Sequence, residues 1–204
     1  MANEHYFSAI PESELTLRQI RVSLLGQVYE LTTSNGIFSP ERIDAGTQVL
    51  LANTPAIAPS GNFLDLGCGW GPIALSLAIE SPHSTIWAVD VNERALELVR
   101  RNAETLGLTN VKARLPTDVP DDVEFAGIRS NPPIRVGKAV LHSMLEKWLP
   151  RLGHEADAYL VVQRNLGSDS LHHWIEGSLG ADYPVTRTAT SKGYRVLRVH
   201  RNRA

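Results

Sequence analysis

The chain has very few cysteines. Its 204 residues include one, Cys68, which excludes an internal disulfide framework and a cysteine-built zinc cluster. The start of the sequence shows no basic segment leading into an apolar run, and no stretch approaches the roughly 20 apolar residues that a membrane-spanning helix requires. A cysteine-poor chain without such segments is expected in the cytoplasm, with no membrane partner. No internal repeat, low-complexity tract or Pro/Gly-rich linker divides it, and 43% hydrophobic content over 204 residues fills one core but not two ordinary domains. A single domain spanning 1–204 is therefore expected, with 1–55 as an N-terminal extension and 56–204 as its core.

The formal net charge of −2 conceals an uneven distribution. Residues 1–128 carry 8 Lys and Arg against 16 Asp and Glu, a net of −8, whereas residues 129–204 carry 12 against 6, a net of +6. A basic second part suits a phosphate-bearing partner. Scattered charges that cancel across the folded surface would give the same count.

From Asn62 onward, short β-rich runs alternate with longer helical periodicities, the pattern of βαβ units on a parallel sheet. Strands are predicted at 63–66, 85–89, 111–114, 124–130 and 158–162, and helices at 72–80, 93–106, 138–148 and 168–176. Pro72 stands in a first helical turn, where its missing N–H costs nothing, Asn92 is placed to cap the next helix and Gly107 to stop it. Residues 185–190 and 194–199 flank Ser191, Lys192 and Gly193 as an antiparallel hairpin. Upstream, 24–32 reads as a β segment and 43–51 as a helix. The fold class is α/β and Rossmann-like: a mostly parallel seven-stranded sheet with helices on both faces, a C-terminal antiparallel hairpin and a short N-terminal β/α extension. His172, His173 and Trp174 have no metal-ligand partners at suitable spacing, so they are assigned to packing and surface and no metal is expected.

Between the first predicted strand and its helix stand Asp65, Gly67, Cys68, Gly69 and Gly71, at a strand carboxyl end where open α/β sheets bind ligands. The glycines permit a sharp turn and let backbone N–H groups approach a ligand. A dinucleotide fingerprint is excluded, because the third glycine comes one residue early and an acid precedes the first. A purely structural turn is the alternative. Asp90, followed by Val91, ends the second strand; its carboxylate suits two hydroxyl donors or a helix cap. Asp118 follows the third strand as a ligand contact or an exposed loop acid.

After the fourth strand come Asn131, Pro132, Pro133 and Ile134. Two prolines stiffen the backbone, so that the Asn131 side-chain oxygen and a neighbouring carbonyl, that of Pro132, can converge as acceptors for an exocyclic NH2 group. Such acceptors stabilise positive charge developing on a nucleophilic nitrogen without a strong base. An ordinary turn is the bland alternative.

The spacing Asp65-x-Gly67-x-Gly69-x-Gly71 resembles the first motif of class I S-adenosylmethionine methyltransferases. That resemblance implies S-adenosylmethionine as cofactor and S-adenosylhomocysteine as product. It places the cofactor against Asp65, Gly67, Cys68, Gly69, Gly71 and Asn131, its ribose on Asp90 and Val91, and its adenine near Asp118. Asn131-Pro132-Pro133-Ile134 resembles the N-P-P-aromatic signature of methyltransferases acting on base amino groups or glutamine side chains, and implies a catalytic role for these four residues. Ile134 replaces the aromatic, so stacking must come from aliphatic packing or from another residue such as Tyr194 or Phe38. Together with segments 33–39, 43–47, 131–138 and 191–197, these motifs resemble the small-subunit ribosomal RNA guanine-N2 methyltransferase C family, in its single-domain bacterial form. One departure is Ala126, where members often carry an acid.

This second resemblance implies ribosomal RNA or the small ribosomal subunit as partner. Arg135, Lys138, Arg164, Lys192, Tyr194 and Arg195 become RNA-contact candidates, with solvated surface as the alternative. Phe38 and 44–47 either cover the methionine end of the cofactor or serve as a core aromatic and a helix cap. Two other functions compete: methylation of a protein glutamine or another base, and a non-catalytic RNA-binding assembly factor of the same fold.

Overall fold

The computed structural model describes residues 14–203. It opens with an antiparallel hairpin, β1 (Leu17–Leu24) and β2 (Gln27–Ser34). Leu25 and Gly26, at φ 49° and 82°, form the kind of two-residue turn whose twist matches the flanking strands. The single β segment expected at 24–32 therefore straddles a turn, because leucine at a left-handed position carries no turn signal. The chain then runs through α1 (Ala45–Ala52), β3 (Asn62–Leu66), α2 (Pro72–Glu80), β4 (Thr85–Val89), α3 (Glu93–Thr105), β5 (Val111–Arg114), β6 (Phe125–Ser130), α4 (Lys138–Trp148), β7 (Leu152–Gln163), α5 (Ser168–Leu179), β8 (Val185–Ser191) and β9 (Tyr194–His200).

The main sheet has seven strands in the order β5-β4-β3-β6-β7-β9-β8. Its first five are parallel, while β9 runs antiparallel to both β7 and β8. This is the Rossmann-like architecture read from the sequence. Side chains that alternate along each strand build two cores. Leu64, Trp87, Ile128, Leu160 and Leu197 meet Leu141, Leu145, Leu171 and Ile175 of α4 and α5. Phe63, Ile86, Ala88 and Val161 meet Leu50, Ile73, Leu77, Leu96 and Val99 of α1, α2 and α3 on the opposite face. Helices on both faces explain why these strands read as near-continuous apolar runs.

Boundaries differ where a local signal is masked. β7 has twelve residues rather than five: its first half contains Gly153, His154 and Glu155, with Glu155 at φ 58° and a register break opposite Phe125 and Gly127. Helix α5 continues through Gly177 to Leu179. Helix α1 begins at Ala45 because Asp44, at φ −57° and ψ 145°, is its N-cap. Among the described residues, no helix is long and apolar enough to cross a membrane.

One buried amide fastens the N-terminal hairpin to the sheet. Asn102 of α3, without exposed surface, accepts from the Thr32 N–H at 2.8 Å and donates to the carbonyls of Thr32 and Trp70 at 3.0 and 3.2 Å. Removing it strands three buried backbone groups, and an unmade buried hydrogen bond costs about 1–3 kcal/mol. Asn102→Ala is expected to lower unfolding free energy by roughly 2–4 kcal/mol at an unchanged denaturant slope. An unshifted urea midpoint would show that the amide does not fasten the hairpin.

Candidate active site

Strand order reverses between β3 and β6, and the crevice at such a switch point is where open α/β sheets hold ligands. The turn after β3 supplies one wall. Gly71, at φ 97°, starts α2 without a capping side chain, and a Cβ there would lie 3.0 Å from Val99. The missing cap comes from the strand: Asp65 Oδ2 accepts the Ala74 N–H at 2.9 Å. Asp65 Oδ1 is buried without a partner. Burial pushes the Asp65 carboxyl up to about 8, opposed by the Ala74 N–H and reinforced by the charge of Asp90. Burial likewise raises the Cys68 thiol well above its ordinary value, with Asp90 and Asp65 adding to the effect.

The backbone N–H groups of the glycine turn are largely consumed inside the protein, contrary to the sequence expectation that they face a ligand. Gly67 and Cys68 donate to the Val89 carbonyl at 2.8 and 3.1 Å, and Gly71 to the Cys68 carbonyl at 3.0 Å. Gly69 donates to Asp90 Oδ2 at 2.9 Å. What the glycines leave open is space above the turn. Asp90 Oδ1 accepts from the Asn92 N–H at 2.9 Å, and burial raises this carboxyl despite its backbone donors. A carboxylate accepts about four hydrogen bonds, so Asp90 keeps capacity for a further donor. Beside it, Val91 is 43% exposed. Asp118 is exposed, accepts from its neighbour Thr117 at 3.1 Å, and does not line the pocket. The Asp118 N–H turns back to Leu115 at 3.0 Å, which folds this loop on itself.

Segment 35–44 forms the opposite wall. Trp70 Nε1 donates to the Ser39 carbonyl at 3.1 Å, Asn92 Nδ2 to Gly36 at 3.0 Å and Arg94 to Asn35 at 3.2 Å. These bonds hold Phe38 and Ser39 over the glycine turn, and Phe38 lines the pocket while remaining 48% exposed. It is not a core aromatic.

Asn131 lines the same pocket as Gly67, Cys68 and Gly69. Its Nδ2 donates to Asp44 Oδ2 at 2.9 Å and Thr47 Oγ1 at 3.0 Å. The same Asp44 oxygen caps α1 by accepting from Gly46 and Thr47 at 2.7 and 3.3 Å. Because an ionised carboxylate only accepts, it fixes the amide with NH2 toward α1 and Oδ1 turned away. Pro133 stands opposite Gly67, 3.8 Å from where a Cβ would be. The Pro132 carbonyl, expected to be free for a substrate amine, accepts the Ile134 N–H at 2.8 Å; one lone pair remains. Tyr194 packs against Gly46, its ring 2.9 Å from the position a Cβ would take there. Burial raises the Tyr194 hydroxyl, with Asp44 adding and Arg135 opposing.

The structure brings Asp65, Gly67, Cys68, Gly69, Gly71, Asp90, Phe38 and Asn131 to one crevice. Asp44 and Thr47, from the segment expected to cover the cofactor, line the same pocket, and the structure adds Trp70 and Ile73, to which no role was assigned from the sequence. Arg135, Lys138, Arg164 and Lys192 are exposed. Arg195 is not: its side chain is 13% exposed and hydrogen-bonded to Ser168 at 2.9 Å and to Asp169. It is a structural pair rather than an offered cation. Among the described residues, no three His, Cys, Asp or Glu side chains converge to hold a metal.

The sequence profile of the methyltransferase small domain matches residues 28–198. The chain is similar to the Bacillus subtilis uncharacterized protein YbxB, 35% identical over 199 residues, which are 96% of this chain and 98% of that one. It is also similar to ribosomal RNA small subunit methyltransferase C of Aeromonas hydrophila, 37% identical over 119 residues, 57% of this chain and 33% of the relative. Among solved structures, the Thermus thermophilus 16S rRNA N2 methyltransferase RsmC in complex with AdoMet and guanosine aligns with a TM-score of 0.79 at 22% identity, covering 94% of this chain and 52% of that one. The chain thus spans a third to a half of these two methyltransferases.

The buried Asp65 gives the site a pH signature. Its folded value near 8 lies above the unfolded value of 3.8, so between those limits the folded state binds more protons and stability falls as pH rises. Relative to Asp65→Asn, the protein without added ligand is expected to lose about 1 kcal/mol of stability per pH unit between pH 5 and 7. Parallel stability curves for the two proteins would contradict this.

Proposed function

The chain belongs to the methyltransferase small domain family, and from that premise we propose that it transfers the methyl group of S-adenosylmethionine to an exocyclic amino nitrogen, N2 of a guanine in small-subunit ribosomal RNA. The observation that carries this reading is Asn131, its amide pinned by Asp44 and Thr47 at the mouth of the glycine pocket. Similarity to ribosomal RNA small subunit methyltransferase C supports the choice of substrate.

The residues present fit the cofactor. An orphaned carboxylate oxygen on Asp65 suits the cationic methionine end, since a nearby positive charge returns a buried acid to its ionised form. Asp90, with backbone donors from Gly69, Val91 and Asn92, keeps about one of a carboxylate's four acceptor sites for a ribose hydroxyl, and the exposed faces of Phe38 and Val91 offer apolar contact. Bound there, S-adenosylmethionine supplies an electrophilic sulfonium methyl. Asn131 Oδ1 and the remaining lone pair of the Pro132 carbonyl accept the two N–H bonds of the substrate amine and aim its own lone pair at the pocket. Both are fixed before the substrate arrives, so they stabilise the positive charge growing on nitrogen without reorganising. In this reading residues 56–204 form the core of one domain, with the preceding segment as its extension, and the protein works in the cytoplasm where ribosomes are assembled.

Asn131→Ala is expected to lower turnover by about 10²–10³-fold, as for loss of a preorganised electrostatic contact, while S-adenosylhomocysteine affinity by calorimetry stays within a few-fold. Asp44→Ala is expected to follow in the same direction, because the amide loses its orientation. Wild-type turnover in Asn131→Ala would remove the assigned role. Ribosomal RNA from a deletion strain is expected to lose N2-methylguanosine by nucleoside mass spectrometry. Unchanged RNA, with labelled methyl incorporated into protein instead, would redirect the substrate to a glutamine side chain.

A further inference from the structure

The turn that begins at Asn131 in the cofactor crevice ends at Ile134 in a different cavity, of about 250 Å³. Its lining includes Ile134, Lys138, His142, Leu166, Ser170 and Trp174. These belong to the segments that follow β6 and β7, so the cavity opens at the carboxyl edge of the sheet beside the switch point. Its size lies below the roughly 300–1,000 Å³ of pockets for drug-sized ligands and suits one fused-ring base.

Its wall is flat and aromatic. His142 of α4 and Trp174 of α5 stack with ring centroids 3.6 Å apart and planes 9° from parallel. Burial lowers the His142 imidazole, so the pair behaves at neutral pH as two aromatic rings. The rim is cationic. Lys138 lines the cavity, and exposed Arg135 and Arg164 lie in the short turns that bound its mouth, 134–136 and 164–166. The acid beside Ser170, Asp169, is already paired with Arg187 and Arg195. An apolar slot with an aromatic wall and a cationic rim complements a nucleic acid, whose bases stack while its phosphates meet Lys and Arg.

Resting on the function proposed above, we propose that this cavity receives the unpaired base next to the methylated guanine, with the RNA backbone held on Lys138, Arg135 and Arg164. The base lies between the Ile134 side chain and the His142–Trp174 wall, and the amine to be methylated stays at the Asn131 end of the turn. The neighbouring base is then held in a pocket separate from the one that takes the reacting amine.

Ser170 is exposed, so Ser170→Leu fills the cavity without disturbing the core; Trp174→Leu removes the stack. With small-subunit ribosomal RNA as substrate, each variant is expected to raise KM for RNA by about 5- to 100-fold, the range of one base–aromatic stack. Turnover at saturating RNA and S-adenosylhomocysteine affinity are expected to remain within about threefold. If wild-type protein methylates RNA and Ser170→Leu has the wild-type KM, the cavity takes no base and only this proposal falls. If turnover drops while KM holds, the cavity holds the reacting base itself and the flanking assignment is overturned. If wild-type protein neither binds nor methylates RNA, the substrate assignment and this proposal fall together.

Discussion

A single carboxylate oxygen, Asp44 Oδ2, takes hydrogen bonds from Gly46 N, Thr47 N and Asn131 Nδ2, and through it the N-terminal segment and the Asn-Pro-Pro turn become one site. A serine or threonine cap would serve the helix nearly as well. It would not fix the amide, because a hydroxyl both donates and accepts and so leaves either flip of Asn131 possible. The carboxylate permits one orientation only. The geometry also explains Gly46: any Cβ there would collide with that oxygen at 2.9 Å and with the Tyr194 ring at the same distance. Cap, glycine, tyrosine and asparagine are one constraint met by four residues.

The crevice is electrostatically one-sided. Asp65 and Asp90 are both pushed upward by burial, and Cys68 beside them is pushed up further by their charges. Such an arrangement costs folding stability, and the cost is greatest where the acids are ionised. It also favours a cationic guest over a neutral or anionic one. A pyrophosphate would be repelled from this turn even if its glycines were respaced, since the N–H groups that would cradle it are already spent on Val89, Cys68 and Asp90.

Much of the fold was legible because its signals are local. The βαβ alternation, Pro72 opening α2, Asn92 capping α3 and the Lys192–Gly193 turn at φ 48° and 81° all depend on residues within a few positions of one another. The Leu25–Gly26 turn failed because only half of it is a turn residue, and the first half of β7 because its side chains are polar. In the site, the motif positions were readable, whereas the contacts that orient them were not. Asp44 and Asn131 are 87 positions apart, and the His142–Trp174 stack joins two helices separated by β7. Periodicity cannot report such pairs. Trp174, assigned to packing, does pack against the core.

The charge asymmetry takes a sharper form in three dimensions. At least half of the twelve Lys and Arg after residue 128 are engaged by partners within the fold. Arg129 is buried over the Tyr159 ring at 4.3 Å and lowered by desolvation to about 10. Arg198 pairs with Asp157 at 2.7 Å, Arg187 and Arg195 share Asp169, and Arg151 and Arg201 donate to backbone carbonyls. The exposed remainder includes Arg135 and Lys138 after β6, Arg164 after β7, and Lys192 on the hairpin tip, where Tyr194 pairs with Gln163 at the end of β7. All four therefore gather at the carboxyl edge of the sheet, the edge where Asn131 and the glycine turn lie. With paired charges set aside, a bias spread over a third of the sequence leaves four exposed cations at the edge where the glycine turn and Asn131 lie, with Arg203 exposed beyond the end of β9.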